Sequence, residues 1–442
     1  MKTLTVKLKQ HTPLIHFQHS QEGATLRASE LKPKLDKYIL ENAFEESSFD
    51  DCKTFLVGYD EKKEDVLRVK FERENFRAFD YKLSISASNR RQEVTLHPRC
   101  NPNDGNYITD NFPLLLSNMG GKDSLDELVD FVYHDNIELT FYSKNEELIE
   151  DIKGWIDLFF ATHNFGQRQD KGFGSFSVIS INGIANNFPH KDLKNTRYLS
   201  FNLFNPRNNN RQLLLEQKKI FDVIDFYWKV LKSGVNYTRN GQFPNRYIKS
   251  FLWRYLNDNG YTWEKRRVKQ EFDLTNGQER PGNNNQTLFA RAILGCPDRF
   301  EYRNKNRVVS ISHNEIARIP SPIIFKPIIN DNGNIKIYLL IDESALEELR
   351  TRESLNFTFE CNNESFTLPV NPNVIDLEEL LKKYHAFLTK EVSLCAFNDE
   401  GTWEEYEENN ELKNRQWFIP LAFNWARILG NNRSWVEMYI VK

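Results

Sequence analysis

Apolar and polar residues alternate at the start of the chain, where Leu4, Val6 and Leu8 are separated by threonines and lysines. A period of two residues is typical of a strand with one buried face. Similar runs of apolar residues predict further strands, which cover 54–59, 66–72, 79–87, 137–142 and 175–181.

Two other segments show the period of an amphipathic helix. Apolar residues over 31–44 recur every three or four positions, and Pro33 must lie in the first turn of that helix, because proline is tolerated there. The same spacing over 146–161 predicts a second helix. Ser143 and Glu146 have the three-residue spacing of a capping box at its start.

These elements follow one another in the order of a ferredoxin-like βαββαβ unit with insertions. A polar linker then leads to a second strand and helix over 198–232, and residues 247–257 repeat the apolar and basic pattern of 30–40. We therefore predict an α+β fold of two fused ferredoxin-like, RRM-like domains, at 1–190 and 196–442.

The composition is that of a folded protein without a membrane span. The 442 residues are 39% hydrophobic and 27% charged, and no apolar run approaches the length that crosses a bilayer. The first residues lack the apolar block of a signal peptide, so we expect a cytoplasmic location. The five cysteines are scattered, which argues against a disulfide framework and against a cysteine zinc site.

Charge is distributed unevenly along the chain. Residues 342–411 hold 18 acidic against 5 basic side chains, a local charge of −13. Because the whole chain carries −3, the other residues carry +10. We expect an acidic helical region at 342–411 on an otherwise basic body, and a basic body is compatible with a nucleic-acid partner.

The most specific local motif is FGQRQDKGFGSF at 165–176, which holds three glycines with Arg168 and Lys171 between them. Glycines let backbone N–H groups approach a phosphate, and the two cations add attraction. A loop that uses glycine only to turn the chain after a helix is an equally good interpretation of these residue types.

Two basic segments are further candidates. The predicted helix start near TLRASELKPK clusters four polar or basic side chains where helix N–H groups favour an anion. The segment 239–269 interleaves cations with tyrosine and tryptophan, and on a helix Arg246, Lys249 and Arg254 would share one face. Such a surface suits backbone contacts and base stacking on single strands, although a solvated helix face has the same pattern.

Catalytic candidates are few. His11, His16 and His19 cluster after the first strand and could serve as general acid and base in metal-free RNA cleavage. No carboxylate or cysteine accompanies them at metal-ligand spacing, so a polar loop with packed or exposed histidines is the favoured interpretation. We predict no catalytic residue, no metal site and no cofactor.

Several of these motifs resemble the RAMP superfamily of CRISPR-associated RNA-binding proteins. The first strand, TPLIHFQ, TLRASELKPKLDKYI and FGQRQDKGFGSF are similar to its first strand, first helix and G-F-G loop. RAILGCP and RIPSPIIFKPI are most similar to segments of subunit one of the type III-B Cmr effector complex, a fusion of two ferredoxin-like domains. The helix motif here is Ser-Glu-Leu-Lys-Pro, where the family has Ser-Ser-Leu-Lys-Gly.

The resemblance implies a non-catalytic, RNA-binding subunit that contacts the 3′ part of the guide RNA and helps to capture target RNA for antiviral defence. Its partners would be guide and target RNA and other Cmr subunits, with no membrane and no small-molecule substrate. The implied RNA-binding residues are Arg27, Ser29, Lys32, Lys34, Arg168, Lys171, Gly172, Phe173, Gly174, Arg246, Lys249, Arg254, Arg291, Arg318 and Lys326. Phe173 would either stack on a base or pack beneath the loop.

Two alternatives remain open on sequence alone. One is a metal-independent endoribonuclease of the same superfamily that matures CRISPR RNA, with His16 or His19 near the scissile phosphate. The other is an interaction scaffold on which the basic patches are merely solvated.

Overall fold

A computed structural model describes most of the chain, and every structural statement below concerns the described residues. These are 1–15, 25–44, 48–95, 99–100, 107–108, 130–186, 198–202, 220–221, 223–225, 227–237, 246–248, 250–274, 286–302, 305–316, 318–330, 334–342, 344–352, 355–389, 395–397, 403–405 and 439–441.

The chain forms two compact units. The first contains 1–221 together with 325–339 and the last residue, and the second contains 222–324 and 340–441. A short segment from the second half of the sequence therefore belongs to the first unit. The domains expected at 1–190 and 196–442 remain a prediction.

An antiparallel sheet organises the first unit. The strands of this half are β1 (Lys2–Gln10), β2 (Lys82–Thr95), β3 (Arg99–Cys100), β4 (Tyr107–Ile108), β5 (Asp130–Ser143), β6 (Phe176–Ile181) and β7 (Ile184–Ala185). They pair in the order β2-β5-β1-β6-β7, while β3 and β4 form a separate pair. The predicted strands at the N-terminus, at 137–142 and at 175–181 are confirmed.

Helices pack on one face of this sheet. The helices of the unit are α1 (Ala28–Ala43), α2 (Phe49–Cys52), α3 (Glu64–Arg73) and α4 (Glu146–Thr162). Alternate residues of β1 point into one core with the apolar stripes of α1 and α4, and each such side chain contributes about 1.5–3 kcal/mol when fully buried. The combination of helices and sheet confirms the α+β class.

The ends of both long helices differ from the sequence prediction. Helix α1 begins at Ala28, so Pro33 lies in its interior, one turn later than expected. Helix α4 is capped by Asn145, whose side chain accepts a hydrogen bond from the N–H of Leu148 at 3.2 Å. The predicted capping box is wrong, because Ser143 is still in β5 and its hydroxyl accepts from the N–H of Asn145.

Two predicted strands between α1 and β2 are also wrong. Residues 54–59 contain the end of a 3₁₀ turn, Lys53–Phe55, and residues 66–72 lie in α3. The run of apolar residues in 66–72 predicted a strand. In the structure Leu67 and Phe71 are buried at helical spacing, whereas Val69 is exposed.

The second half of the chain supplies β15 (Ile323–Ile329) and β16 (Asn334–Ile341), whose residues from 325 to 339 belong to the first unit. There β16 pairs antiparallel with β8 (Tyr198–Asn202). The remaining strands are β9 (Val235–Tyr237), β10 (Arg246–Ile248), β11 (Tyr261–Trp263), β12 (Gln286–Leu288), β13 (Arg299–Tyr302), β14 (Arg307–Ser312), β17 (Asn356–Cys361), β18 (Glu364–Pro369), β19 (Cys395–Phe397), β20 (Trp403–Glu405) and β21 (Tyr439–Val441).

The second unit has its own sheets and helices. Strands β13, β14, β17 and β18 form one antiparallel sheet, and β9, β10, β19 and β20 form another. Its described helices are α5 (Phe251–Asp258), α6 (Glu264–Glu271), α7 (Ser344–Arg350) and α8 (Leu377–Thr389), beside helical residues between 223 and 232.

The acidic region at 342–411 is not purely helical. It contains α7 and α8, but the hairpin of β17 and β18 lies between them. Its apolar residues are core residues, since Phe357, Phe359, Leu380 and Tyr384 are at most 2% exposed. In the described residues 344–352 and 355–389, the acidic side chains therefore lie on a packed part of the second unit.

Candidate nucleic-acid interface

The glycine-rich loop, residues 165–176, connects α4 to β6 and is held by backbone hydrogen bonds to the segment after β1. The N–H of Gln167 donates to the carbonyl of Ile15, and the N–H of Gly174 donates to that of Pro13, both at 2.8 Å. The N–H of Phe165 closes the loop on Gly174 at 3.0 Å. These hydrogen bonds hold the loop in place and use several of its backbone N–H groups.

Its glycines are needed for this packing. Gly166 and Gly174 both have positive φ, and a Cβ at Gly166 would lie 2.5 Å from the carbonyl oxygen of Ile15. A Cβ at Gly174 would collide with the carbonyl of Phe165. Arg168 also adopts a left-handed conformation, with φ of 53°, which costs free energy for a residue other than glycine. Gly166 and Gly174 therefore turn the chain in this loop, as one of the two interpretations of the motif expects.

The loop meets the start of α1. Lys34 Nζ donates to Gln169 Oε1 at 2.8 Å and to the carbonyl of Asn164 at 3.3 Å. Glu30 Oε1 accepts from the N–H of Gly166 at 2.7 Å. These hydrogen bonds join positions 135 and 136 residues apart in the sequence, so the two motifs form one surface.

Several predicted residues lie on this surface. Ser29 is exposed, and Arg27, Lys34 and Arg168 are partly exposed. Lys171 is more enclosed, because only 14% of its side chain is exposed and its ammonium pairs with Asp170 at 2.8 Å. Cations in this arrangement attract a phosphate backbone without selecting a base.

Lys32 points away from this surface. Its ammonium donates to Asp36 at 2.9 Å and to the carbonyl of Phe79 at 2.7 Å, and it lies 3.7 Å from the centre of the Tyr81 ring. Burial lowers the pKa of Lys32, while the Asp36 carboxylate opposes that shift. In this position Lys32 ties α1 to the residues just before β2.

Lys326 is fully buried, so the predicted RNA contact there does not fit the structure. Its ammonium donates to the carbonyls of His163 at 2.7 Å and Phe176 at 2.9 Å, one at each end of the glycine-rich loop. Burial lowers the pKa of Lys326 well below its usual range. Neighbouring side chains reinforce the anchor, because Ser175 Oγ donates to the carbonyl of Pro327 at 2.7 Å.

Phe173 packs beneath the loop, which is one of the two alternatives that the sequence left open. Its ring is 0% exposed and stacks on Phe221 with 3.9 Å between the ring centres. The neighbouring Gly172 is buried as well, and its carbonyl accepts from the hydroxyl of Thr12 at 2.6 Å. Phe173 therefore supports the loop from below and does not stack on a base in this conformation.

His11 is a structural residue. Its Nδ1 accepts from the N–H of Ile329 at 3.1 Å, so the ring proton is on Nε2, which donates to Ser177 Oγ at 2.8 Å. Burial, and then the charges of Lys326 and Lys9, lower the pKa of His11 well below its usual value. Both ring nitrogens are engaged and the ring is buried, so His11 is enclosed within the fold. His16 and His19 lie outside the described residues.

In the second unit the predicted helix face does not form. Arg246 is in strand β10 and its side chain is not among those described, and Lys249 lies outside the described residues. Helix α5 begins only at Phe251, because Ser250 caps it by accepting from the N–H of Trp253 at 3.2 Å. Arg254 is on this helix, partly exposed and 5.4 Å from the Phe387 ring.

The two remaining cations of the second unit differ from each other. Arg318 is exposed. Arg291 forms a close ion pair with Glu264, a carboxylate that is 0% exposed, and its guanidinium lies 4.0 Å from the Phe300 ring. Arg291 thus neutralises a buried carboxylate, and breaking such a pair by removing one partner is costly.

Sequence reasoning missed Glu30 and Gln169. Both were hidden because a search for cations passes over acidic and neutral side chains. The one available signal was Glu30 itself, the only acid in the first turn of α1. Its position next to the loop follows only from the tertiary structure.

Two general observations concern the described residues. Within them, no group of three or more histidine, cysteine, aspartate or glutamate side chains is placed to hold a metal ion. No helix in the described part of the chain is long and apolar enough to span a membrane.

Family models match most of the sequence. Residues 1–235 match the Cmr1 N-terminal domain, and residues 247–400 match the Cmr1 C-terminal domain. No curated protein sequence matches the chain.

Solved structures show weaker similarity. The apo crystal structure of Cmr1 from Pyrococcus furiosus has a TM-score of 0.34 and 12% identity, over 77% of this chain and 88% of that chain. A chain from a cryo-EM structure of the type III-B Cmr-beta complex, bound to cognate target RNA and AMPPnP in the presence of ssDNA, has a TM-score of 0.35 and 11% identity, over 86% and 99%. At these scores the likenesses carry no argument, and the family is shown by the sequence models, the first of which covers more than half of the chain.

Proposed function

The chain belongs to the Cmr1 family, and from this premise we propose that it is a non-catalytic, RNA-binding subunit of a type III-B Cmr effector complex in the cytoplasm. Its RNA partners would be the 3′ part of the guide RNA and the target RNA, and its protein partners would be other Cmr subunits. Cmr-beta, which holds a similar chain, is a complex bound to cognate target RNA.

One observation carries the site assignment. The start of α1 and the glycine-rich loop form one surface, through the contacts of Lys34 with Gln169 and of Glu30 with Gly166. We place the RNA backbone along this surface, on Arg27, Ser29, Lys34, Arg168 and Lys171.

Other predicted residues have different proposed roles. Gly172 and Gly174 shape the loop, while Lys32, Phe173, Arg291 and Lys326 support the fold from inside. Arg246, Lys249, Arg254 and Arg318 remain candidates for a second patch in the second unit.

We further propose that the first domain is ferredoxin-like. The order β2-β5-β1-β6 with two helices on one face supports this, because it is the strand order that a βαββαβ chain produces when its two βαβ halves interleave. The division into domains at 1–190 and 196–442 belongs to the same proposal.

The absence of RNA cleavage is part of the proposal. An endoribonuclease would need a catalytic histidine or tyrosine near the scissile phosphate. His11 is enclosed by Ser177 and Ile329, and His16 and His19 lie outside the described residues. No observation on the described residues favours the nuclease alternative.

A binding experiment tests the proposal. Fluorescence anisotropy with labelled single-stranded RNA of mixed sequence should show salt-sensitive binding by the full chain. Replacing Arg27 and Arg168 together by Ala should weaken binding about tenfold and lower the salt slope by about 1.4, since each lost phosphate contact changes that slope by about 0.7 on single strands. The labelled strand should stay intact in EDTA.

The matched control replaces Lys70 and Arg73, two exposed cations of α3, by Ala. It removes the same charge and should leave the affinity within about twofold. Equal effects of the two double variants would show that only net charge matters and would reject this surface. Specific cleavage of the RNA would reject the non-catalytic role.

A further inference from the structure

An acidic side chain lies at the centre of the proposed RNA surface. Glu30 Oε1 accepts two hydrogen bonds at once, from the N–H of Gly166 at 2.7 Å and from Lys34 Nζ at 2.9 Å. The side chains of Glu30 and Lys34 are 25% and 28% exposed, so this contact is at the surface of the first unit and partly exposed to solvent.

The two donors suit a phosphate. A backbone N–H of a glycine-rich turn and an ammonium that converge on one anionic oxygen form a donor set typical of phosphate recognition in proteins. A backbone phosphate of RNA carries the same single negative charge as the Glu30 carboxylate. Both anions cannot use the same two donors together.

We infer that Glu30 sets the RNA affinity of this surface, because its carboxylate occupies the place that an RNA phosphate takes on binding. This inference rests on the proposed function and deepens it. When RNA binds, Glu30 gives up Gly166 and Lys34 and turns toward solvent.

The loop can release Glu30 without unfolding. Its other anchors are independent of that side chain: Gln167 donates to Ile15, and Phe165 donates to Gly174. Lys326 holds both ends of the loop from inside the unit. Exchange of one anion for another therefore changes a single side chain and leaves the scaffold in place.

The test replaces Glu30 by Gln. Glutamine keeps an oxygen that can accept from Gly166 but removes the charge that competes with phosphate. We expect E30Q to bind single-stranded RNA about fivefold more tightly at low salt, the effect of removing one exposed charge from beside a phosphate. The slope of log affinity against log salt should stay the same, because the phosphate contacts the same two donors in both proteins.

Glu41 provides the matched control. It lies near the end of the same helix and pairs with Lys37 at 3.6 Å, also four residues away. Replacing it by Gln removes the same charge from the same helix and should change neither the affinity by more than about twofold nor the salt slope. A second variant, Glu30→Ser, deletes the competing carboxylate entirely and should strengthen binding as E30Q does.

The outcomes separate this inference from the proposed function. If the Arg27 and Arg168 double variant binds weakly but E30Q and E30S bind as the unsubstituted chain does, or more weakly, the RNA surface stands and the role of Glu30 is rejected. Weaker binding by both Glu30 variants would show that the carboxylate only holds the loop on α1. If the Arg27 and Arg168 double variant binds normally, the surface itself is rejected.

Discussion

The two buried hydrogen bonds of Lys326 allow a quantitative prediction about the glycine-rich loop. Replacing it by Met keeps an unbranched side chain of similar length but removes the ammonium that donates to the carbonyls of His163 and Phe176. Because these carbonyls lie at the two ends of the glycine-rich loop, opening the loop must break both hydrogen bonds in the unsubstituted chain. We therefore expect K326M to open this loop more easily.

The magnitude follows from the two hydrogen bonds. Each buried carbonyl left without a partner costs about 1–3 kcal/mol. Removing an amine that is costly to bury offsets part of that sum. A net loss of about 2 kcal/mol corresponds to an increase of about 30-fold in the population of the open loop.

Limited trypsin cleavage measures this population. Arg168 and Lys171 are trypsin sites within the loop, and their cleavage rate follows the open population when closing is fast. Lys326 precedes Pro327 and is not itself a good site, so its removal deletes no competing cut. Peptide mapping should show cleavage after Arg168 and Lys171 about 30 times faster in K326M.

The control is Lys7→Met, at an exposed position of β1. It removes one lysine from the same unit and should leave the cleavage rate at the loop unchanged. An increase of less than about threefold in K326M would refute the anchoring role, since two buried hydrogen bonds cannot be worth so little to the closed loop.

Two further predictions concern the same unit. The unfolded state of His11 titrates near pH 6.5, and its pKa is far lower in the fold, so the unfolded chain binds more protons below that pH. The thermal unfolding midpoint should therefore fall as the pH drops from about 7 to 5, and His11→Gln should flatten this part of the profile; an identical slope would contradict the assignment. Gly174→Ala puts a Cβ against the carbonyl of Phe165 at positive φ, and should lower the unfolding midpoint by several degrees, whereas Gly183→Ala, at similar φ but in open space, should cost much less.

Local patterns predicted the elements whose periodicity was unambiguous. The alternation of Leu4, Val6 and Leu8 and the helical spacing before the glycine-rich loop led to β1 and α4 within a residue. The strand prediction for 66–72 was wrong because Leu67 and Phe71 fit both the two-residue period of a strand and the spacing of a helix. Only packing against the rest of the first unit selects the helix there.

Helix capping was predicted least well from the sequence. Asn145 and Ser250 are ordinary N-cap residues and were visible in the sequence. Each of them was missed for its own reason. The capping box at Ser143 was preferred to Asn145, and the helix of 247–257 was assumed to begin before Ser250. In both cases the neighbouring strand, β5 or β10, extends almost to the cap and leaves no room for an earlier helix start.

The sequence by itself determined the α+β class, the glycine-rich loop and the family of both halves, because these depend on local spacing and motifs. Only the tertiary structure decided which cations face solvent. Lys326 lies 163 and 150 positions from its two acceptors, and Arg291 lies 27 from Glu264. The sequence does not distinguish a lysine or arginine that meets a phosphate from one that meets a buried carbonyl. Its role is fixed by partners that the fold brings together across the chain.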